Sequence, residues 1–420
     1  MARIRAIDRW LETMRTARGY GGPVVHWWES CFGYTGAMAD WRYEGIICGY
    51  LNLAKRLDDN QWLSKAERAA NDLIRMQLPD GRFDRSSFQR GPIPGGTPHE
   101  AAVDVALLEL ALNLKEARHD SWRMYSEAAR RNLEDYHIAR LLTPHGFIDQ
   151  PGTSLVVSNK NATILESLLL AEEVCGSDYG KYVNPAIDAV LRAQSTRPES
   201  LGGDRHFGTP PHILATGIYT ARSANAIARL YRRQNDERLR EYLDLAVSFL
   251  RRLVSKRGTM FGFTEKGTRI SCPEMIAGSG DVLRTFITYE ELTKRSVPER
   301  DVLLKSIMDS QKPNGSFPTA RGFARLGREV EWDGYDDLRD TLPVAGWIDK
   351  VFRALTMLDV SDKGDFDYRE SVEDVCHWFG RKCVLSESGG FLKLERRNGT
   401  CLYSWRKGEP APRMNSLSPI

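Results

Sequence analysis

The 420-residue sequence has few cysteines, no long apolar run and no clear excess of one charge. Its seven cysteines are scattered and include no Cys-x-x-Cys pair, which is more typical of a reducing compartment than of a disulfide-stapled secreted protein. The N-terminal segment lacks the apolar stretch of a secretory signal, and no window is long and apolar enough to cross a bilayer. We therefore expect a soluble, cytoplasmic protein without a membrane span.

The charged residues are almost balanced, with 59 Lys and Arg against 56 Asp and Glu and a net charge of +3. This balance gives none of the broad basic surface by which proteins hold nucleic acid through its phosphates. Cys376, His377 and Cys383 come nearest to a metal-ligand cluster, and their spacing matches no zinc pattern. We therefore expect no nucleic-acid partner, no metal and no cofactor.

No linker rich in Pro, Gly or Ser and no low-complexity block divides the chain. With 41% hydrophobic and 27% charged residues, the composition is that of an ordinary globular protein with a substantial core. We therefore predict a single domain over 1–420. Its last part, 367–420, is expected to be a closing segment with one further outer-type helix and a strand-like hairpin.

A turn motif recurs after helix-like segments. RMQLPDGRFD at 75–84 and SQKPNGSFP at 310–318 share the order Gln, Pro, polar residue, Gly, aromatic residue. Pro stops the preceding helix, Gly allows a positive φ angle, and the aromatic side chain can fold back on the turn. Related turns follow six amphipathic segments and centre on Gly81, Gly146, Gly203, Gly262, Gly315 and Gly390.

A second kind of helix is predicted between these turns. AAVDVALLELALNL and NATILESLLLAEEV are apolar around most of their circumference, which suits burial on several sides, whereas ERLREYLDLAVSFLRRLV has one apolar stripe. The loops that lead into the buried helices are long and those that lead out are short. Six buried helices, each preceded by an amphipathic one, close most simply into an all-α (α/α)6 toroid of helical hairpins; the buried segments are 37–56, 97–116, 155–174, 212–232, 274–294 and 336–359.

The segments AERAANDLIRMQLPDGRF and LLKSIMDSQKPNGSF resemble the turn repeats of terpenoid-cyclase and prenyltransferase toroids. The same architecture is found in six-hairpin glycosidases and toroidal polysaccharide lyases. The resemblance covers nearly the whole chain and implies the (α/α)6 toroid. Protonating terpenoid cyclases carry an Asp-x-Asp-Asp motif, whose nearest counterpart here, DGYDD at 333–337, has a displaced first aspartate. The zinc ligands of the prenyltransferases have no convincing counterpart.

In a toroid the long loops all fall on one face, so a functional site is expected there, over the first turns of the buried helices. Aromatic and hydrogen-bonding residues are concentrated in these positions. Such a mixture fits a sugar, which presents apolar C–H faces and a hydroxyl edge, although single Asn or Asp residues there could simply cap helices. The predicted substrate-binding residues are Trp27, Trp28, Trp41, Glu44, Asn159, Asn161, His212, Tyr219, Arg222 and Trp332.

Glycoside hydrolysis needs two carboxyl groups across the scissile bond, one protonated and one ionised. Glu100 or Glu274 is the candidate acid, and Asp336 or Asp337 the candidate base. Mutual repulsion within DGYDD could raise the pKa of one aspartate. The sequence does not assign the roles or the stereochemical outcome.

We therefore predict a carbohydrate-active enzyme, a glycoside hydrolase that acts on an oligo- or polysaccharide. One alternative is a lyase or epimerase on uronic-acid sugars in surface-polysaccharide metabolism. In it, His99 or Tyr219 would abstract a proton, and Asn159, Asn161 and Arg222 would neutralise the developing charge. A terpenoid-cyclase-like enzyme and a non-catalytic carbohydrate-binding toroid are further alternatives. The sequence does not identify the substrate or the oligomeric state.

Overall fold

The computed structural model of the protein describes residues 1–26, 31–35, 37, 39–84, 98–206, 213–264, 267–322, 343–359, 383–389, 391–396 and 401–406. Twelve α-helices lie within these ranges. In chain order they are α1 (Ala2–Thr13), α2 (Arg42–Leu57), α3 (Asn60–Met76), α4 (Ala101–Glu116), α5 (Trp122–Arg131), α6 (Ser158–Cys175), α7 (Gly180–Ala193), α8 (Gly217–Gln234), α9 (Glu237–Leu253), α10 (Ser279–Thr293), α11 (Glu299–Asp309) and α12 (Ala345–Thr356). A π-helix, Asn132–Leu141, continues α5.

The even-numbered helices form a closed inner ring. Each of them packs against the next, and α12 packs back against α2. The odd-numbered helices form an outer layer, in which α3, α5, α7, α9 and α11 each pack on the inner helix that precedes them and α1 packs on α12. This closure confirms the predicted (α/α)6 toroid.

The recurring glutamine holds neighbouring outer helices together. Gln77, just after α3, donates through Nε2 to the carbonyl of Gly81 in its own turn at 3.0 Å and to that of Ala128 in α5 at 2.7 Å. Gln194 and Gln311 make the same pair of bonds, to a turn glycine and to the next outer helix. The sequence repeat therefore encodes a contact between successive hairpins.

The turn glycines are required by both conformation and space. Gly315 has a φ of +88°, and a Cβ at this position would lie 2.2 Å from the carbonyl oxygen of Ala6 in α1. Gly81 has a φ of +84°, and its Cβ would lie 2.8 Å from the carbonyl oxygen of Arg131 in α5. A side chain would therefore be strained and would push away the adjacent outer helix.

The connections differ in length at the two ends of the ring. Inner helices end in short turns, and α2, α6, α8 and α10 are each followed by a residue in the left-handed conformation: Asp58, Gly176, Asn235 and Lys294. The connections into the inner helices are long and contain most of the short strands. This arrangement places the long loops at the end of the ring where the inner helices begin, as predicted.

The strands form small antiparallel sheets. β1 (Arg15–Thr16) pairs with β2 (Gly19–Tyr20), β3 (Gly22–His26) with β4 (Cys31–Thr35), and β5 (Leu142–Thr143) with β6 (Gly146–Phe147). The largest sheet has the order β11-β10-β9-β7, with β8 also paired to β9; its strands are β7 (Ile213–Thr216), β8 (Val254–Ser255), β9 (Gly258–Thr264), β10 (Arg269–Met275) and β11 (Ala320–Arg321).

Near the C-terminus, β12 (Cys383–Ser388), β13 (Phe391–Arg396) and β14 (Cys401–Arg406) form a meander. The predicted strand-like hairpin is thus present as β13 and β14. The further outer-type helix predicted at the start of 367–420 falls outside the described residues. None of the described helices combines the length and apolar character needed to cross a membrane.

Candidate functional site

A cavity opens at the end of the ring where the inner helices begin, and its empty space, including the part open to solvent, is ≈ 780 Å³. All six inner helices contribute to its lining through their first or second turns. One residue from each is, in ring order, Glu44, Ala102, Asn159, Tyr219, Asp281 and Asp349.

Two tryptophans form aromatic parts of the cavity wall. Trp41 immediately precedes α2, and its Nε1 donates to the carbonyl of Gly346 at the start of α12. Trp347 lies in the first turn of α12, with the Lys350 Nζ 5.6 Å from its ring centroid. Because the Trp41 bond links α2 to α12, it holds the two aromatic residues at the same side of the mouth.

Tyr219 on α8 adds a third aromatic group. Its ring stacks on His206, with centroids 3.9 Å apart and an interplanar angle of 24°. Burial raises the pKa of the Tyr219 hydroxyl above its usual range. Burial, together with the nearby Lys160, lowers the pKa of His206 to about 3, so this imidazole is neutral at physiological pH.

Asp349 on α12 is a buried carboxyl group in the cavity lining, with 1% of its surface exposed. Its Oδ2 accepts from Lys350 Nζ at a long 3.3 Å, and its Oδ1 has no hydrogen-bond partner. Burial raises the pKa of Asp349 to about 8; Lys350 lowers it, and the neighbouring acids Asp281 and Glu44 raise it further. The carboxyl group is therefore largely protonated at neutral pH, beside the carboxyl group of Asp281 in the same cavity.

Beneath this carboxyl group lies a layer of paired charges, which we call the ion-pair layer. Each inner helix contributes to it one side chain that is buried or nearly so. In chain order these residues are Glu44, Glu109, Glu166, Arg222, Arg284 and Arg353. The acidic members come from the first three inner helices and the basic members from the last three.

Glu44 is paired with all three arginines of the layer. It accepts from Arg222 and Arg353, and its Oε1 lies 3.6 Å from Arg284 Nη1. Burial alone would raise the pKa of Glu44, but the three guanidinium groups together hold it well below its usual range. Glu166 lies 3.0 Å from Arg222 and is also ionised, because the arginines lower its pKa against the effect of burial. The layer is thus charged in the folded protein.

Five of the predicted binding residues line the cavity. They are Trp41, Glu44, Asn159, Tyr219 and Arg222, which all lie just before an inner helix or in its first two turns. Asn161 instead holds the preceding loop, since its Oδ1 accepts from the amide of Phe147 at 2.7 Å and its Nδ2 donates to the carbonyl of the same residue at 2.9 Å.

The structure does not bring Glu100 or Glu274 into the described cavity lining. Glu100 is fully buried and accepts from Asn132 Nδ2 at 3.0 Å and from the amide of Phe83 at 3.3 Å. Glu274 lies on β10 and accepts from Ser255 Oγ at 2.8 Å. Both carboxylates therefore tie loops to neighbouring elements.

The remaining predicted site residues lie outside what the structure describes. The backbone of His99 lies in a short 3₁₀ turn, Pro98–Glu100, and its side chain is not described. The others fall wholly outside the described residues: Trp27, Trp28, His212, Trp332, Asp336 and Asp337. Their roles stay predictions.

Several cavity residues were missed by the sequence analysis. Asp349, Trp347, Lys350 and Arg353 all come from α12, which is helical from Ala345 onward. The signal that could have found the ion-pair layer is a charged residue within an otherwise apolar stretch of an inner helix, such as Glu166 in ATILESLLLA. Among the described residues, no group of three or more His, Cys, Asp or Glu is arranged to hold a metal ion.

No protein-family model matches the chain, and no curated protein matches its sequence. Solved structures do match in fold. A sugar epimerase from a ruminal bacterium has a TM-score of 0.60 at 12% identity, over 85% of this chain and 100% of that one. A family 88 glycosyl hydrolase from Bacteroides vulgatus has a TM-score of 0.54 at 9% identity, over 84% and 95%.

A type II terpene cyclase from Scytonema has a TM-score of 0.53 at 14% identity, over 84% of this chain and 96% of that one. All these structures have the (α/α)6-toroid fold, and this chain shares it. Identities this low establish the architecture alone, since one fold can carry unrelated activities.

Proposed function

We propose that the cavity is the active site of a carbohydrate-active enzyme that hydrolyses glycosidic bonds. The observation that carries this proposal is the buried carboxyl group of Asp349, whose pKa burial raises to about 8, in one cavity with Asp281 and two tryptophans. Glycoside hydrolysis requires two carboxyl groups in one site, one of which acts as the acid. The sugar-acting toroid enzymes similar in fold support the same class of substrate.

Asp349 is the proposed general acid. Its proton passes to the glycosidic oxygen as the bond from that oxygen to the anomeric carbon breaks, and the leaving sugar departs as an alcohol. The charge left on Asp349 is stabilised by Lys350 at 3.3 Å. Asp349 regains its proton before the next cycle, from solvent in the inverting route and from the attacking water in the retaining route.

Asp281 is the proposed second carboxylate. In one route it takes a proton from the water that attacks the anomeric carbon, which inverts the configuration. In the other it attacks that carbon itself, and water deprotonated by Asp349 then breaks the new bond, which retains the configuration. The first turn of α10 places it at the cavity wall. The DGYDD aspartates, Asp336 and Asp337, stay alternative candidates for this role.

Trp41 and Trp347 are the proposed sugar platforms. Aromatic rings pack against the C–H faces of a sugar, and the polar side chains of Asn159 and Lys160 at the cavity wall can bind its hydroxyl groups. These groups orient the ring so that the glycosidic oxygen faces Asp349.

A second candidate is a cyclase that starts its reaction by protonating an alkene. The same neutral carboxyl group and aromatic walls favour it, because aromatic faces stabilise carbocations. Tyr219 is the less suitable base for the lyase or epimerase alternative, because burial makes its hydroxyl hold its proton more tightly; His99 stays the predicted base there.

The test is incubation with a panel of oligosaccharides and aryl glycosides, with detection of new reducing ends. Turnover that Asp349→Asn lowers by about 100-fold or more, the scale of a lost general acid, supports the proposal. Asp309→Asn, an exposed change on α11, is the matched control and should keep full activity. Products absorbing in the ultraviolet would indicate a lyase, and cyclic hydrocarbons from polyprenyl substrates a cyclase; either would refute hydrolysis.

A further inference from the structure

The ion-pair layer crosses the axis of the toroid. Its six members come from six different inner helices, so they meet from all sides of the ring. Glu166 and Arg284 are only 2% and 5% exposed. Charged groups at this depth are held by mutual pairing, and separating them would leave buried charges without partners.

A second cavity lies on the other side of this layer, with ≈ 1390 Å³ of empty space, including the part open to solvent. It is lined by residues further along the same inner helices, such as Glu116, Glu173 and Arg232. Arg353 is the single described residue that borders both cavities. The layer therefore forms the floor of the first cavity and separates it from the opposite end of the ring.

The proposed acid lies directly above this floor. Asp349 and Arg353 are four residues apart on α12, a rise of about 6 Å along an α-helix. Asp281 and Arg284 are similarly close on α10. The part of a saccharide that lies beyond a bond held at Asp349 therefore meets the floor within about one helical turn.

We propose that the enzyme acts at the end of a saccharide chain and releases terminal units, and that it does not cut within a polymer. This inference rests on the proposed hydrolytic function. A chain cut at an internal bond would have to continue on both sides of Asp349, and the floor blocks one of these sides. A chain end, in contrast, can descend until its terminal unit contacts Arg222 and Glu44 on the floor.

The experiment uses cellohexaose, maltohexaose, mannohexaose and the hexasaccharide of galacturonic acid. Each is tested with free ends and with both ends blocked by bulky groups. Mass spectrometry follows the products over time with the full-length protein. Free hexasaccharides should lose terminal units in sequence, and the doubly blocked forms should react more than tenfold more slowly. Equal rates for blocked and free chains, or internal fragments as the first products, would overturn the inference while leaving hydrolysis in place.

Arg232→Ala provides a matched variant, because Arg232 lines the second cavity and is largely exposed. It should change neither the rate nor the length of the products. A changed product length would mean that the substrate passes the ion-pair layer and would also overturn the inference. Failure to hydrolyse any saccharide in this set or in the wider panel would refute the proposed function itself.

Discussion

Gln311 and Arg3, which are 308 positions apart, exchange two hydrogen bonds that close the outer layer. Gln311 Nε2 donates to the carbonyl of Arg3 at 3.1 Å, and Arg3 Nη1 donates to Gln311 Oε1 at 3.2 Å. The same guanidinium also donates to the carbonyl of Met308 at 2.8 Å. The N-terminal helix thus completes the ring, next to the last described outer helix.

Gln311→Ala should destabilise the protein. It removes partly buried hydrogen bonds and leaves the Arg3 carbonyl without this donor, so we expect a loss of about 1–3 kcal/mol in the free energy of unfolding. Urea denaturation measures it. Gln234→Ala, at an exposed position near the end of α8, should change stability by less than about 0.5 kcal/mol. Equal effects of the two changes would contradict the assigned role.

Asp349 should set the alkaline limb of the activity profile. Because its pKa is raised to about 8, the acid form is present at pH 7 and is lost as the pH rises through 8. The rate constant kcat/KM should fall about tenfold per pH unit above this value. A profile that is flat from pH 7 to 10 would remove Asp349 from the role of acid.

The same carboxyl group should make the folded protein less stable as the pH rises. Below about pH 4 it is protonated in both the folded and unfolded states, so it contributes no difference. Between about pH 4 and 8 the unfolded state ionises first, which favours unfolding, and above pH 8 the cost is constant.

Asp349→Asn should therefore raise the free energy of unfolding relative to the wild type at pH 8, with a smaller difference at pH 4. Denaturation of both proteins at the two pH values measures this change. The asparagine keeps the shape of the carboxyl group but cannot ionise. A variant that loses stability equally at both pH values would indicate that packing, and not ionisation, dominates.

Glu44→Gln should be costly because it leaves three guanidinium groups short of a counter-charge. Breaking a buried ion pair by removing one partner typically costs about 3–5 kcal/mol. Glu299→Gln breaks an exposed pair with Arg251 and should cost less than about 1 kcal/mol. Thermal and urea denaturation of the two variants give the comparison, and similar losses would argue against a buried, charged floor.

Trp347→Ala should weaken saccharide binding about tenfold, consistent with about 1.4 kcal/mol from the loss of one aromatic contact. Calorimetric titration with the best substrate of the panel measures the affinity. Trp122→Ala is the control, since Trp122 begins the outer helix α5 and contacts Lys115 and Arg123. If Trp347→Ala binds as tightly as this control, Trp347 is not a sugar platform.

The helices were predictable because burial leaves a periodic mark on the sequence. The segment 155–174 was predicted as an inner helix and forms α6 at Ser158–Cys175. The predicted helix 336–359 is helical from Ala345 onward, after Pro343, which disfavours a helical conformation in the residue before it. Because the prediction began this helix too early, Asp349 counted as a mid-helix residue and was missed.

The expectation that a site lies over the beginnings of the inner helices also identified Trp41, Tyr219 and Arg222, which line the cavity. The direction of a side chain at the mouth was not predictable. Glu100 lies directly before α4, yet it accepts a hydrogen bond from Asn132, 32 positions away. The pattern of the sequence gives the position along a helix, and only the neighbouring elements decide which side chains reach the cavity.

The sequence by itself determined the alternation of buried and amphipathic helices and the glutamine–glycine turns between them, because helix periodicity and turn conformation are local properties. Only the tertiary structure assembles the ion-pair layer and raises the pKa of the proposed acid, Asp349. Glu44 meets Arg222 across 178 positions and Arg353 across 309, since closure of the ring brings the first and last inner helices into contact. The raised pKa of Asp349 arises in the same way, because the helices around it exclude water only when the ring is complete.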